Sequence, residues 1–189
     1  FNGDPMTCNM KKLMLPDFFQ ASEVPIVHKF YRNYFKDCYV CGDVDYIFGP
    51  NTAFFDHCEI HSIARVSEGK AYITAASTPA GQEFGLVFSH CRITGEEPDS
   101  VYLGRPWRDC AKTAFICCEL GDHICPEGWQ NWGKVRAEVL SDYIEYGNFG
   151  PGADCSGRSP LSRCLVNPEV ETYFSKENVL VGEDGWIPA

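Results

Sequence analysis

The chain has 189 residues, 14% of them aromatic, and a formal net charge of −10. That is enough for one domain with a real core, or one and a half small ones, and too aromatic for a disordered acidic tail. The acidic balance argues against nucleic acid or an anionic membrane surface as partner, and no apolar run reaches spanning length or reads as a signal-peptide core near Phe1.

Residues 1 to 25 carry no pattern; residues 26 to 189 carry one. Four segments share the form F-x-x-C-x-[VIL]: Phe35 to Val40, Phe55 to Ile60, Phe88 to Ile93 and Phe115 to Leu120. Their cysteines are spaced 20, 33 and 27 residues apart. Self-similarity at an uneven period points to a solenoid whose coils carry loops of different length. The flanking residues Tyr34, Phe54, Val87, Tyr102 and Ile116 are strand formers. Cysteine and the aliphatic residue two positions later share one strand face, which sends Glu59, Arg92 and Glu119 to water. Phenylalanine and cysteine lie three apart, so a bend or bulge between them is required for both to face inward.

The expectation is an all-β chain forming a right-handed parallel β-helix, incomplete at its N-terminal side. The weaker alternative is a β-sandwich with accidental similarity. A C-terminal loop and a short helix within Pro168 to Lys176 complete it.

The 11 cysteines then divide. Cys38, Cys58, Cys91 and Cys118 form an internal column of reduced thiols acting as small hydrophobes. Cys155 and Cys164 bracket a Gly/Ser/Pro loop and can bridge. Cys38-Tyr39-Val40-Cys41 is a C-x-x-C without a second pair, a weak zinc signal. His57 and His61, four apart on a strand, read as solvated or hydrogen-bonded rather than as ligands.

Within "GDVDYIFG", residues 42 to 49, Asp45 interrupts a buried-strand pattern. Strict alternation places it on one side with Asp43 and Ile47, opposite Val44, Tyr46 and Phe48. A carboxylate there needs a cleft and a partner, and an arginine fork is the fitting one. "VYLGRPW", residues 101 to 107, supplies Arg105 from a nearby coil. Spacing alone leaves a plain ion pair between coils as the more ordinary reading. Trp107 and Trp132 stand beside polar residues, where tryptophans serve as platforms for sugar rings about as often as they fill cores. Carboxylate, arginine and tryptophans on one solenoid face suggest carbohydrate chemistry. Asp43 is too close to Asp45 to form the flanking pair of a glycosidase.

"GDVDYIFG", "YITAASTPAGQEFGLVF", "VYLGRPWRDCAKTAF" and "PEGWQNW…YIEYGNFGPGA" together resemble the pectin methylesterases, carbohydrate esterases of family eight, over about residues 30 to 155 and with wording closest to bacterial forms. The resemblance implies a right-handed parallel β-helix, no metal and no cofactor. It implies a secreted or periplasmic monomer whose partner is a polysaccharide, methylated homogalacturonan, with no nucleic acid and no membrane. The reaction implied is hydrolysis of galacturonate C6 methyl esters in pectin. By motif, Asp45 resembles the nucleophile, Arg105 the residue that anchors it, and Trp107 a substrate-stacking residue. Trp132 resembles a second such platform and Phe48 a packing residue beside the nucleophile.

Two earlier motifs of the family are missing: a glutamine on an "A-x-R" coil, and a Gln-Asp-Thr that provides an oxyanion-stabilising glutamine and the acid–base aspartate. Where the second belongs, the chain reads Gln20-Ala21-Ser22-Glu23-Val24-Pro25. Glu23 is the candidate substitute for the acid and Gln20 for the glutamine. The expectation is a truncated or degenerate esterase of weakened turnover. The alternatives are a non-catalytic carbohydrate-binding β-helix and, less favoured, a calcium-dependent pectate lyase, for which Asp43 and Asp45 are a thin cluster. No G-x-S-x-G is present to support a serine esterase.

Overall fold

Each F-x-x-C-x-[VIL] segment is one corner of a coil. In this computed structural model, which describes residues 13–14, 31–65, 68–182, 184–186 and 188, the residue before each repeated cysteine takes a left-handed conformation. Asp37, His57, His90 and Cys117 have φ of 51°, 51°, 54° and 53°. That single residue is the bend that the three-residue spacing demanded. It turns the chain from one strand into the next and lets phenylalanine and cysteine both face the core.

The strands are β1 (Leu13–Met14), β2 (Arg32–Lys36), β3 (Tyr39–Gly42), β4 (Ile47–Gly49), β5 (Thr52–Asp56), β6 (Glu59–Ser62) and β7 (Ala71–Ala76), followed by β8 (Leu86–Ser89), β9 (Arg92–Gly95), β10 (Val101–Pro106), β11 (Lys112–Ile116), β12 (Glu119–Leu120), β13 (Asp142–Tyr146) and β14 (Ser162–Leu165). They stack in three parallel sheets, ordered β1-β4-β7-β10, β14-β13-β11-β8-β5-β2 and β12-β9-β6-β3. The fold is the parallel β-helix that the repeat predicts.

Like residues stack on like. Phe35, Phe55, Phe88 and Phe115 are successive register partners, with rings stacked at 4.7, 4.7 and 4.5 Å. Val40, Ile60, Ile93 and Leu120 form the matching aliphatic row. The thiol column follows: Cys58, Cys91 and Cys118 are buried and free, and each Sγ donates to the carbonyl of the phenylalanine one coil back. A hydrogen bond to Cys91 and burial raise Cys58, and burial raises Cys91, so both stay thiols. On the outer side Arg92 lies between Glu59 and Glu119, at 3.2 and 3.6 Å.

Among the described residues, three short α-helices lie outside the coils: α1 (Ala137–Leu140), α2 (Glu169–Tyr173) and α3 (Lys176–Val179). The sequence pattern indicates only the second. Val170, Val179 and Leu180 pack on Phe54, Val87, Ala114, Ile116 and Ile144, covering the outer face of the second sheet. Cys155 and Cys164 are disulfide-bonded, as their loop suggests. His57 Nδ1 meets Asp56 Oδ1 at 2.6 Å and His61 Nδ1 meets Thr94 Oγ1 at 2.9 Å, so both histidines are hydrogen-bonded.

His123 is a buried polar residue with no sequence signal. It is 1% exposed, and neither ring nitrogen has a hydrogen-bond partner among the described residues. Gly95 and Gly121 make its slot, since a Cβ at either would run into the imidazole. Burial, with a smaller opposing effect from Asp122, pushes its pKa down to about 4. The unfolded chain takes up this proton near pH 6.5, the folded chain only near 4, so stability falls as pH drops through that window. The expected slope is at most about 1.4 kcal/mol per pH unit. Urea midpoints for the parent chain should fall between about pH 6.5 and about pH 4.5, and His123→Leu should flatten that decline; equal slopes in both proteins would contradict it.

Candidate active site

The site is built on the first sheet. Phe48 of β4 and Arg105 of β10 both take Ala75 of β7 as register partner, so the three lie in one row. The outer strands of such a row stand about 9–10 Å apart. Ala75 contributes only a methyl between them, and the long arginine side chain reaches across. Gly104 permits the close approach of β10, because a Cβ there would collide with Thr74 Oγ1.

Asp45 is not on the strand. Residues 43 to 45 form a bend before β4, in which Asp43 Oδ1 accepts the Val44 amide at 2.8 Å. Asp45 itself is left-handed, with φ of 48°, and its amide donates to the Tyr72 carbonyl at 2.8 Å. Aspartate tolerates that conformation better than most residues. The alternation expected across residues 43 to 48 therefore fails. Tyr46 and Ile47 are both in the core, and Asp45 shares a face with neither. The left-handed residue resets the two-residue period, and the carboxylate turns toward the sheet's outer face, where Arg105 lies.

There Arg105 binds it with both arms of its fork, Nε to Oδ1 at 3.0 Å and Nη2 to Oδ2 at 2.5 Å. The Asp45 and Arg105 side chains are 9% and 15% exposed, so the pair is largely withdrawn from water. The guanidinium is held between two rings, with Cζ 4.0 Å from the Tyr72 centroid and 4.4 Å from that of Trp132. This sandwich fixes the plane of the fork. Tyr72 stacks on Tyr102 at 5.2 Å and donates its hydroxyl to Gln130 Oε1 at 2.5 Å. Burial raises the Tyr72 pKa, so the phenol keeps the proton it donates.

The rim is aromatic. Trp107 and Trp132 are 37% and 44% exposed, large fractions for tryptophan, with centroids 6.1 Å apart. Phe48 lies 6.0 Å from Trp107 on the other side. Lys134 Nζ binds the Trp107 carbonyl and lies over the Trp132 ring. Trp132 is left-handed at φ 53°, a strained conformation for an aromatic residue that places its ring on Arg105. The result is a largely buried carboxylate–guanidinium pair with partly exposed aromatic rings beside it.

Asp45, Arg105, Trp107, Trp132 and Phe48 are thus brought together. Glu23 and Gln20 lie outside the described residues. Tyr72, Gln130 and Lys134 are the residues that sequence reasoning missed. Tyr72 was findable: "AYITAA" and "VYLGRP" stack residue on residue, with Tyr72 against Tyr102 and Ala75 against Arg105.

A family model described as Pectinesterase matches residues 20–183. The chain belongs to the pectinesterase family. It is 40% identical over 140 residues to Pectinesterase 31 of Arabidopsis thaliana, covering 73% of this chain and 43% of that protein. Pectinesterase 2 of Olea europaea is 36% identical over 145 residues, 76% of this chain and 38% of that protein. Among solved structures, the pectin methylesterase from carrot superposes with a TM-score of 0.72 at 30% identity, over 80% of this chain and 50% of that one. A pectin methylesterase in complex with a hexasaccharide superposes with a TM-score of 0.65 at 27% identity, over 83% of this chain and 53% of that one. The chain therefore spans about half the length of the family members it matches.

Proposed function

We propose that this chain carries the nucleophile half of a pectin methylesterase site, and that the site hydrolyses methyl esters of galacturonate in pectin. The observation that carries this reading is the two-armed Asp45–Arg105 pair beside the exposed rings of Trp107 and Trp132, on a chain of this family. An Asp45 oxygen attacks the C6 ester carbonyl, the C–OCH3 bond breaks, and methanol leaves once its oxygen gains a proton. Water then cleaves the acyl–aspartate anhydride, releasing the substrate carboxylate and restoring Asp45. Arg105 keeps the carboxylate oriented through both steps and provides fixed positive charge beside the developing oxyanion. Glu23 is the sequence candidate for the proton donor. Trp107 and Trp132 stack on sugar rings, with Phe48 packing beside the nucleophile.

The substrate in this reading is methylated homogalacturonan, met outside the cell or in the periplasm by a monomer. The Cys155–Cys164 disulfide supports an oxidising compartment. Of the basic residues near the motif, Lys112 does not serve the site; it donates to the Glu83 carbonyl. The test is methanol release from highly methylated pectin. Methanol should appear with one new carboxylate per molecule and without unsaturated uronate. Unsaturated product would indicate a lyase, and binding without methanol a carbohydrate-binding module; either overturns the proposal.

A further inference from the structure

The coil corner that precedes each repeated cysteine is also a ladder of side chains facing outward. Its rungs, one per coil, are Asp37, His57, His90, Cys117 and Gly147, all left-handed. The rungs are tied in order by backbone bonds, including His57 N to Ser89 O, His90 N to Ile116 O and Cys117 N to Tyr146 O. The ladder stands at the junction of the second and third sheets, whereas Arg105 belongs to the first and Asp45 to the bend that leads into it. It takes no part in the chemistry proposed above.

Three ligand-bearing side chains converge on it. His90, Cys117 and Glu171 place one nitrogen, one sulfur and one carboxylate oxygen within 4.8 Å of one another. Glu171 comes from α2, the helix that packs over the second sheet. We propose that His90, Cys117 and Glu171 form a binding site for one divalent transition-metal ion of the zinc class, which clamps α2 to the coil corner.

Four observations support this. First, His90 Nε2 and Glu171 Oε1 are 3.8 Å apart. That is too long for a hydrogen bond and a few tenths of an ångström beyond the nitrogen–oxygen edge of a zinc tetrahedron with bonds of about 2.0–2.2 Å, which is roughly 3.3–3.6 Å. Second, Ser89 Oγ pairs with His90 Nδ1 at 2.9 Å, so that in the Nδ1–H tautomer Nε2, which faces Glu171, is the ligand nitrogen, the outer-shell arrangement of metal-binding histidines. Third, the next rung above Cys117 is Gly147, where a Cβ would press on Cys117 Sγ at 3.0 Å. Glycine keeps the space beside the sulfur open there. Fourth, the His57 ring stacks on His90 at 5.1 Å and braces it from the rung below.

The donor set selects the ion. Imidazole, thiolate and carboxylate together suit zinc, cobalt or a similar borderline ion, and do not suit calcium or magnesium. Binding replaces the Cys117 S–H bond with a metal–sulfur bond and releases the proton to water. With three protein ligands, a water completes the tetrahedron. The other cluster of such side chains among the described residues, Glu145 with Cys155 and Cys164, has both sulfurs in the disulfide and cannot act this way.

The experiment is a titration of the full chain with cobalt(II), followed by displacement with zinc. One equivalent of cobalt should produce a sulfur-to-metal charge-transfer band, and zinc should remove it. Cys117→Ser should abolish the band. His90→Asn, which retains a residue tolerant of the left-handed corner, and Glu171→Gln, on an exposed helix position, should each weaken zinc binding at least about 10-fold, the loss that even an outer-shell change causes. Cys110→Ser, at another free cysteine, should bind as the parent does. Zinc should also raise the unfolding temperature of the parent and not of Glu171→Gln. The proposal is overturned if no thiolate band forms, if the band survives Cys117→Ser, or if His90→Asn and Glu171→Gln bind zinc as tightly as the parent.

Discussion

On the proposed mechanism, Asp45→Asn should lower methanol release from methylated pectin by about 10³-fold or more, while affinity for a methylated oligogalacturonide should change by less than about threefold. The two effects should separate because the substitution removes the proposed nucleophile while keeping the side chain's shape. Asparagine has the same shape and tolerates the left-handed conformation that Asp45 adopts at φ 48°. Its side-chain oxygen still accepts from the Arg105 fork. The Trp107–Trp132 pair, proposed to meet the sugar, is untouched. A variant that keeps a tenth or more of the parent turnover would remove Asp45 from the chemistry and leave the ion pair as a stitch between coils. The comparison uses initial rates at saturating pectin, so that a change in affinity cannot pass for a change in turnover.

Arg158→Ala destabilises the chain by about 3–5 kcal/mol, the typical cost of breaking a buried ion pair from one side. The reason lies in the phenylalanine ladder. Its next rung after Phe115 is Glu145, which is 2% exposed. A carboxylate at the end of an apolar column needs full compensation. Arg158 provides it with Nε at 2.9 Å and Nη2 at 3.0 Å, and the Trp129 indole N–H adds a third bond at 2.9 Å. The arginine is itself spent on the Pro126 and Gly152 carbonyls, so it ties the last coil to the disulfide loop. Removing it leaves Glu145 buried with the indole alone. The paired change Glu145→Leu with Arg158→Met should recover part of the loss, because it leaves no unpaired buried charge, although the Trp129 N–H and the Pro126 and Gly152 carbonyls lose their partners. Guanidinium unfolding of the three proteins measures this. A cost below about 1 kcal/mol for Arg158→Ala would place the pair among weak surface bridges.

Much of the fold was legible because a parallel stack puts identical residues in register. Phe35, Phe55, Phe88 and Phe115 had to recur for the column to form, and the odd spacing to cysteine demanded the corner that the left-handed residues supply. The same logic hid the fifth coil. There Glu145 replaces phenylalanine and Asn148 replaces cysteine, with Asn148 Oδ1 accepting the Cys118 amide. The pattern breaks in its residues while persisting in its geometry. The site was half legible. An acid in an apolar stretch and an arginine after a strand-breaking glycine mark Asp45 and Arg105 as residues of interest. Which coils face each other depends on loop lengths that sequence spacing does not convert into distance. The direction of Asp45 was misread because alternation ends at a left-handed residue. Tyr72 went unnoticed because a tyrosine in a strand looks like any strand former, until its ring is seen against the guanidinium.

The most direct measurement is a crystal structure of Asp45→Asn with a methylated oligogalacturonide bound. The ester carbonyl carbon should lie within about 3–3.5 Å of the residue-45 side chain, with sugar rings against Trp107 and Trp132. An oligosaccharide bound on another sheet, or an ester pointing away from residue 45, would contradict the account.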